Sequence, residues 1–243
     1  MSVKVYFDSF SQPARAVLLF VRATNIPREE IEVRIGANQH KTEEYKAINP
    51  SQKIPAIDHN GFKLSESIAI LRYLCRAFPV EDHWYPKDIQ AQARVDEYLE
   101  WQHLGLRAHV NRHFSSILMP QSLGLEKQSE EVTSTAEKSV LKACDDIERI
   151  FLTRGTFISG EKISIADLLA VEELEQPRMV NFDMRAVRPE IANYLDRVKK
   201  ELNPLYDDVL KAVYKYQAKR AAKNDNFINR GSRSNDSSLL AAL

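Results

Sequence analysis

Two serines near the N-terminus stand where a hydroxyl can act on a reactive anion. In the stretch FDSFSQPARAVLLF, Ser9 and Ser11 lie between the end of a predicted strand and the start of a predicted helix. Free backbone N–H groups and the positive end of the helix dipole favour negative charge at such a position. A serine there is also a common helix cap. The residue types and their spacing leave both roles open.

Whether a hydroxyl at this position could stabilise a reactive anion can be estimated with a thiolate as the example. A free thiol has a pKa of about 8.5, and lowering it by two units requires about 2.7 kcal/mol. A hydrogen bond to a charged partner contributes about 1.5–3 kcal/mol, and a helix N-terminus adds about 0.3–1 kcal/mol. No general base is needed. A cysteine here would instead favour thiol–disulfide exchange, and the stretch contains none.

Two further motifs offer backbone groups to a polar ligand. Ile54 precedes the proline of KIPA and is therefore restricted to extended conformations, which can turn its N–H and C=O outward. Glu66 and Ser67 begin a predicted helix whose free N–H groups suit a carboxylate. The alternative is plain capping, with Ser65 as the N-cap and Glu66 in the first turn.

The histidines of one long predicted helix do not form a metal motif. His109 and His113 are four residues apart and share a helix face. Zinc requires further ligands, and HVNRH lacks the glutamate of the HExxH motif. We therefore predict no metal site.

The composition argues against several broad classes of protein. Lysine plus arginine and aspartate plus glutamate both number 34, so no net charge attracts nucleic acid or a membrane surface. Cys75 and Cys144 form no CxxC motif, which fits a reducing compartment. No apolar run reaches the roughly 18 residues that span a bilayer, and no signal-peptide core is present. We expect a cytoplasmic protein without nucleic acid or membrane as partner.

The first 80 residues predict a small α/β domain. VKVYF alternates as a strand does, and PARAVLLFVRAT follows as a helix with Pro13 in its first turn. EEIEVRI predicts a strand, KTEEYKAIN a short helix, KIPAIDHNGFKLSES a hairpin turning at Asn60-Gly61, and SESIAILRYLCRAF a longer helix. The order β-α-β-α-β-β-α, with a right-handed βαβ unit, is typical of a thioredoxin-like domain.

The rest of the chain predicts an all-helical domain. PVEDHWYPKD breaks the periodicity with two prolines, so we expect a linker at residues 81–87 between domains at residues 1–80 and 88–223. The polar residues 224–243 are predicted to be a mobile tail. The fold class is therefore α+β in the first domain and all-α in the second.

Local signals place two features within the helical domain. A long helix over residues 89–118 is expected to kink near Gly105. Ser164 and Asp167 have the spacing of a capping box, although aspartate stands in for the usual glutamate or glutamine. We expect Asp167 to have a structural role.

This two-domain order resembles that of the soluble glutathione transferases. KIPA matches the family's buried proline, which is usually cis, SESIAILRYL matches its glutamyl-binding turn and helix, and ISIADLL matches its capping box. FSQPARAV, NQHK and HWYPKDIQAQARVDEYLEWQH are similar to the theta class in particular. The resemblance extends over residues 1–220 and implies a thioredoxin-like domain followed by a helical one.

The resemblance also implies a site for glutathione as co-substrate, with no other cofactor. Ser11 matches the hydroxyl that donates a hydrogen bond to the glutathione thiolate, and Ser9 on the same loop is its rival. Ile54 is implied to pair with the cysteinyl backbone of glutathione, like an added strand. Pro55 is then the structural proline of the motif, and its alternative is an ordinary turn.

The two ends of glutathione are implied to meet different residues. Glu66 and Ser67 match the positions that hold the γ-glutamyl group. The glycyl carboxylate is implied to meet a set of cationic or donor side chains, namely His40, Lys41 and Lys53. Arg107 is implied to hold an anionic leaving group, and its alternative is a surface ion pair.

The implied activity is transfer of glutathione to hydrophobic electrophiles by a homodimer, with expulsion of halide, sulfate or a similar group. Two alternatives remain open. Proteins of this fold also serve as non-catalytic ligand binders or assembly modules. A glutathione-dependent peroxidase acting on organic hydroperoxides would use the same thiolate.

Overall fold

The computed structural model describes residues 2–122 and 126–233 of the chain. Its N-terminal part has the predicted β-α-β-α-β-β-α order. The bounds are β1 Val3–Phe7, α1 Gln12–Ala23, β2 Arg28–Glu32, α2 Glu43–Lys46, β3 Ala56–His59, β4 Phe62–Ser65 and α3 Ser67–Ala77.

The strands form a mixed sheet in the order β2-β1-β3-β4. β1 is parallel to β2 and antiparallel to β3, and the β3–β4 hairpin turns at Asn60 and Gly61, both with positive φ. This confirms the predicted thioredoxin-like arrangement. β2 is shorter than predicted and ends at Glu32, because its ladder partner β1 ends at Phe7, the residue opposite.

The second part of the described chain is helical, as predicted. The bounds are α4 Ile89–Gln102, α5 Ala108–Ser122, α6 Glu130–Asp146, α7 Ile165–Glu175, α8 Met184–Val187, α9 Pro189–Leu202 and α10 Leu205–Arg233.

The predicted irregularity at Gly105 is a single π-helical turn, His103–Arg107, that joins α4 to α5. A Cβ atom on Gly105 would lie 2.2 Å from the indole of Trp101, so a larger residue does not fit without displacing that ring. The turn ends at Arg107, which lines the clefts described below.

The two domains share one apolar core. α1 of the first domain packs against α7 of the second, and α7 is buried over its whole length. From the predicted linker, Trp84 packs edge-on against Phe20 of α1, with ring centroids 5.5 Å apart. The site residues on α1 are therefore positioned by both domains.

The start of α7 is fixed by the capping box that the sequence predicts. Asp167 accepts hydrogen bonds from the N–H of Ser164 at 2.8 Å and from the N–H of Ile158 at 2.9 Å. Its Oδ1 also accepts from the hydroxyl of Tyr194 on α9, at 2.9 Å. Asp167 is fully buried, so its carboxylate joins three segments of the helical domain.

The C-terminal helix is described as far as Arg233, so it includes residues 224–233 of the predicted tail. The other residues of that tail, 234–243, lie outside the described residues. Its mobility and the domain limits given above stay predictions.

Replacing Asp167 with alanine is expected to lower the free energy of unfolding by about 3 kcal/mol or more. Two buried N–H groups and a buried phenol then lose their acceptor, and each unsatisfied group costs about 1–3 kcal/mol. Urea unfolding followed by circular dichroism measures the effect. The control is Glu201→Ala, at an exposed position of α9, which should change the value by less than about 0.5 kcal/mol. Equal effects of the two substitutions would contradict this account.

Candidate functional site

Two adjoining clefts lie between the domains. The larger has a volume of about 570 Å³ and the smaller about 160 Å³. Both are lined by Lys53, Ile54 and Arg107. The larger also contains three of the predicted site residues, Ser11, His40 and Lys41, and the smaller contains three more, Pro55, Glu66 and Ser67. Each predicted ligand-binding residue thus lines at least one of the two clefts.

Ser11 is the N-cap residue of α1, but its side chain caps no backbone N–H. Its own N–H donates to the C=O of Asp8 at 3.0 Å, and its C=O accepts from the N–H of Arg15 at 3.0 Å. The side chain is 8 % exposed and lines the larger cleft. Since the hydroxyl has no hydrogen-bond partner among the described residues, it does not have the plain capping role that the sequence left open. Ser9 is half-buried and lines neither cleft.

Asp8 shapes the loop that carries Ser11. One carboxylate oxygen of Asp8 accepts from the N–H of Phe10 at 2.8 Å, and the other accepts from the N–H of Ile35 at 2.6 Å. The side chain is buried and also lines the larger cleft. Sequence reasoning missed this residue, although an aspartate two residues before a turn N–H is a common local signal.

The Ile54-Pro55 peptide bond is cis, and Pro55 is buried. The preceding carbonyl, that of Lys53, accepts from the Tyr45 hydroxyl and the Asn49 amide, both at 2.7 Å. Ile54 itself lies before β3 and outside the sheet pairing. Its N–H and C=O have no hydrogen-bond partner in the described part of the chain, so both are available to a ligand in the cleft.

Glu66 is the N-cap of α3 and has a strained backbone, with φ 70° and ψ 111°. Ser65 is not the N-cap, so that alternative is wrong: Ser65 is the last residue of β4 and pairs with Ala56. The Glu66 side chain makes no capping hydrogen bond. The first N–H groups of α3 therefore open into the smaller cleft beside a carboxylate, and positive φ in a non-glycine residue is typical of a functional position.

The rim of the larger cleft carries two lysines and one histidine, namely Lys41, Lys53 and His40. Burial lowers the pKa of His40, the charge of Lys41 lowers it further, and Asp8 acts in the opposite direction. Nδ1 of His40 is buried and has no hydrogen-bond partner among the described residues. Lys41 and Lys53 are exposed. This side of the cleft therefore suits a ligand with a carboxylate.

Arg107 forms an ion pair, which was the alternative considered for it, and also lines both clefts. Its Nη1 donates to Glu173, a buried residue of α7, so it does form an ion pair. Its side chain is only half-buried, however, and lines both clefts. Glu173 also accepts from the side chain of Gln12 at 3.4 Å, and burial raises the pKa of the Glu173 carboxyl. Arg107 is thus a fixed cation at the boundary of the clefts.

The larger cleft also has apolar lining residues, which we call its apolar wall. Its members come from the Ser11 loop and from α5, α10 and the segment after α7: Phe10, Phe114, Leu118, Met179 and Tyr216. The rings of Phe10 and Tyr216 meet edge-on, with centroids 5.9 Å apart. Sequence reasoning missed this wall, because apolar residues on a helix have the same pattern whether they face a core or a cleft.

The described residues offer neither a metal site nor a thiolate of their own. No group of three or more His, Cys, Asp and Glu side chains is arranged to hold a metal in the described ranges. Burial raises the pKa of Cys75 and of Cys144 to about 12. A sulfur nucleophile in this site must therefore come with a ligand. Among the helices described, none has the length and apolar character to cross a membrane.

Two family models match the chain. The N-terminal domain of glutathione S-transferases matches residues 1–76, and their C-terminal domain matches residues 106–201. The chain belongs to the glutathione S-transferase family. The resemblance drawn from the motifs is thereby confirmed.

Several relatives to which this chain is similar belong to the theta class. The chain is 40% identical to glutathione S-transferase theta-1 of Bos taurus over 200 residues, which cover 82% of this chain and 83% of the relative. Apo human glutathione-S-transferase T1-1 is 34% identical, with a TM-score of 0.84 and coverage of 89% and 91%. A human theta-class transferase in complex with the glutathione conjugate of 1-menaphthyl sulfate is 33% identical, with a TM-score of 0.85 and coverage of 92% of both chains.

Glycine at position 66 is expected to give a more stable protein than alanine at the same position. Glycine adopts positive φ without steric cost, whereas a strained non-glycine residue costs about 1–3 kcal/mol. Part of that difference is offset by the greater freedom of glycine in the unfolded chain. We expect the free energy of unfolding of Glu66→Gly to be about 1 kcal/mol higher than that of Glu66→Ala, as measured by urea unfolding.

The control is the same pair of substitutions at Glu100, an exposed residue of α4. There the order should reverse, because glycine destabilises a helix by about 0.5–1 kcal/mol relative to alanine. If alanine is also the more stable choice at position 66, the strain assigned to Glu66 is absent.

Proposed function

We propose that the chain is a glutathione transferase that joins the sulfur of reduced glutathione to an electrophilic carbon. The observation that carries the proposal is the Ser11 hydroxyl, which lines the larger cleft at the start of α1 and caps none of the helix N–H groups. A hydroxyl in this position is available to donate to a bound thiolate. The glutathione conjugate bound by a human theta-class relative supports the choice of ligand.

The smaller cleft suits the γ-glutamyl end of glutathione. Its carboxylate would accept from the N–H of Ser67 at the start of α3, where the helix dipole is favourable. Its ammonium would pair with Glu66, whose carboxylate has no capping role. The strained backbone of Glu66 supports this assignment, since it holds both groups at the cleft.

The two clefts meet at Ile54, which suits the middle of the tripeptide. The unpaired N–H and C=O of Ile54 would bind the cysteinyl backbone in the manner of an added strand. The glycyl carboxylate then reaches the rim of the larger cleft, where Lys41 and Lys53 supply positive charge and His40 supplies a ring nitrogen. With the tripeptide in this direction, its sulfur lies on the side of Ser11.

The chemistry follows from the hydrogen bond that Ser11 donates. This bond and the N-terminus of α1 stabilise the thiolate, and the thiol proton passes to solvent. The thiolate attacks the electrophilic carbon, a C–S bond forms, and the bond to the leaving group breaks with its electron pair. Arg107 stabilises the anion that departs, such as halide or sulfate, with the N–H groups that Glu173 does not use.

The apolar wall of the larger cleft supports a hydrophobic electrophile as second substrate. Arg107 lines the same cleft, so an apolar body and an anionic leaving group would be bound at the same time. The proposal needs no cofactor beyond glutathione.

We also propose that the protein is a homodimer in the cytoplasm. The support for this part comes only from membership of the glutathione S-transferase family.

Replacing Ser11 with alanine is expected to lower turnover about 100-fold or more, because the thiolate loses about 3 kcal/mol of stabilisation. The pKa of the glutathione thiol in the complex should rise towards its value of about 8.5 in free solution. Turnover is measured with 1-menaphthyl sulfate or an alkyl halide, and ionisation by the ultraviolet absorbance of the thiolate.

Ser9→Ala is the matched control for Ser11→Ala. Its hydroxyl lines neither cleft, so turnover should stay within about two-fold of the unmodified protein. Similar losses of turnover in both variants would contradict the assignment of thiol activation to Ser11.

Replacing Glu66 with alanine is expected to weaken glutathione binding more than it slows the chemical step. The ammonium of glutathione loses its partner, which costs about 1.5–3 kcal/mol or roughly 10- to 150-fold in Kd. Titration calorimetry gives Kd, and saturating kinetics give kcat. An unchanged Kd would contradict the place given to the γ-glutamyl group.

The same assays separate the alternative functions. A non-catalytic binder would be retained on a glutathione resin without turnover of any electrophile. A peroxidase would reduce organic hydroperoxides while leaving alkyl halides and sulfates unchanged. Either outcome would overturn the proposed transfer reaction.

A further inference from the structure

Arg15 is a buried cation at the junction of the two domains. It lies on α1 with no exposed surface, and its Nε donates to a carboxylate oxygen of Glu172 on α7. Its Nη2 donates to the backbone C=O of Glu172 at 3.2 Å and to the side-chain oxygen of Gln176 at 2.8 Å. Both partners are buried as well. No site residue predicted from the sequence belongs to this group.

The same two side chains hold the loop that carries Ser11. Nη1 of Arg15 donates to the C=O of Ser9 at 3.1 Å. Nε2 of Gln176 donates to the C=O of Phe10 at 3.2 Å. These are the two carbonyls directly before Ser11, so groups anchored in the helical domain fix the backbone ahead of the hydroxyl.

The helix that anchors this loop also anchors the cation of the site. Glu172 of α7 binds Arg15, and the adjacent Glu173 binds Arg107. One turn of a single helix therefore sets the separation between the Ser11 loop and Arg107. In an acting transferase these two groups would stand at the attacking sulfur and at the leaving group.

Stability alone is a weak explanation for this arrangement. A buried ion pair is often no better for stability than packed apolar residues, because desolvation of the charges is costly. That cost is visible in Glu172, whose pKa burial raises to about 7 although Arg15 acts in the opposite direction. The planar fork of arginine can bind several acceptors with fixed geometry, which lysine cannot reproduce.

We propose that Arg15 and Gln176 are positioning residues that hold the Ser11 hydroxyl in line with the glutathione sulfur. The inference rests on the proposed transferase function. It adds that activation of the thiol in the first domain depends on side-chain contacts from the second.

The first test is Gln176→Met, which keeps the size of the side chain and removes both its donor to Phe10 and its acceptor for Arg15. The pKa of the glutathione thiol in the complex should rise by about one unit, for example from about 6.5 to about 7.5. The thiolate fraction then falls about ten-fold at pH 5.5 and about three-fold at pH 7. Turnover at saturating glutathione should fall by about the same factors, while the KM for glutathione stays within about two-fold. A structural role alone would not move the thiol pKa at constant glutathione affinity.

The second test is Arg15→Lys, with Arg22→Lys as its matched control. Arg22 lies on the same helix and also joins the two domains, through an ion pair with Asp208 of α10, but it does not contact the loop. We expect the substitution at position 15 to raise the thiol pKa and the control to leave it unchanged. If both variants shift the thiol pKa equally, Arg15 acts only as a general interdomain contact and the inference is wrong.

The thiol pKa separates this inference from the function on which it rests. If the unmodified protein does not lower the pKa of bound glutathione, the proposed function itself fails. If it does, and Gln176→Met and Arg15→Lys retain that lowered pKa, the function stands and the positioning role is wrong.

Discussion

The packing of α1 against α7 is the constraint on which the rest of this structure depends. α1 begins at the Ser11 loop, and α7 is buried along its whole length, so neither helix can shift without opening the shared core. Both clefts open along this junction and are lined by the start of α1, by loops of the first domain and by Arg107. The smaller also reaches the start of α3, and the larger reaches α5 and α10. The site is therefore a product of the contact between the domains and belongs to neither alone.

Several groups at the site are left unsatisfied or strained inside the protein. Ser11 caps nothing, Ile54 pairs with nothing in the described structure, and Glu66 has a backbone that a non-glycine residue rarely adopts. Each of these features costs free energy in the empty protein, and the dense core around α7 offsets it. The polar groups are thus held in place before a ligand arrives, so a ligand that matches them loses little in ordering them.

Local patterns predicted most of the fold, and the ligand-binding residues that were predicted line the two clefts. Strand alternation, the Asn60-Gly61 turn and the capping-box spacing from Ser164 act over a few residues, so a sequence displays them directly. Arg15 and Gln176 could not be found in this way, because their partners lie in the other domain and no local signal links them. The alternative that Ser65 caps α3 was wrong, because Ser65 pairs with Ala56 and so ends strand β4. That pairing is not visible in the local sequence. The site roles came from family resemblance, because spacing alone does not separate a capping serine from an activating one.

Because the Ser11 loop is anchored by the second domain, the first domain cannot be separated from it, or joined to another one, without affecting the site. Residues 1–80 include every strand of the described sheet, yet they lack the carboxylate and the amide that bind Arg15 and the loop carbonyls. During translation, this loop cannot reach its final geometry until the ribosome has released α7 and Gln176. A natural or engineered fusion that exchanges the second half for that of a distant paralogue would inherit a sheet of the right shape around a misaligned hydroxyl.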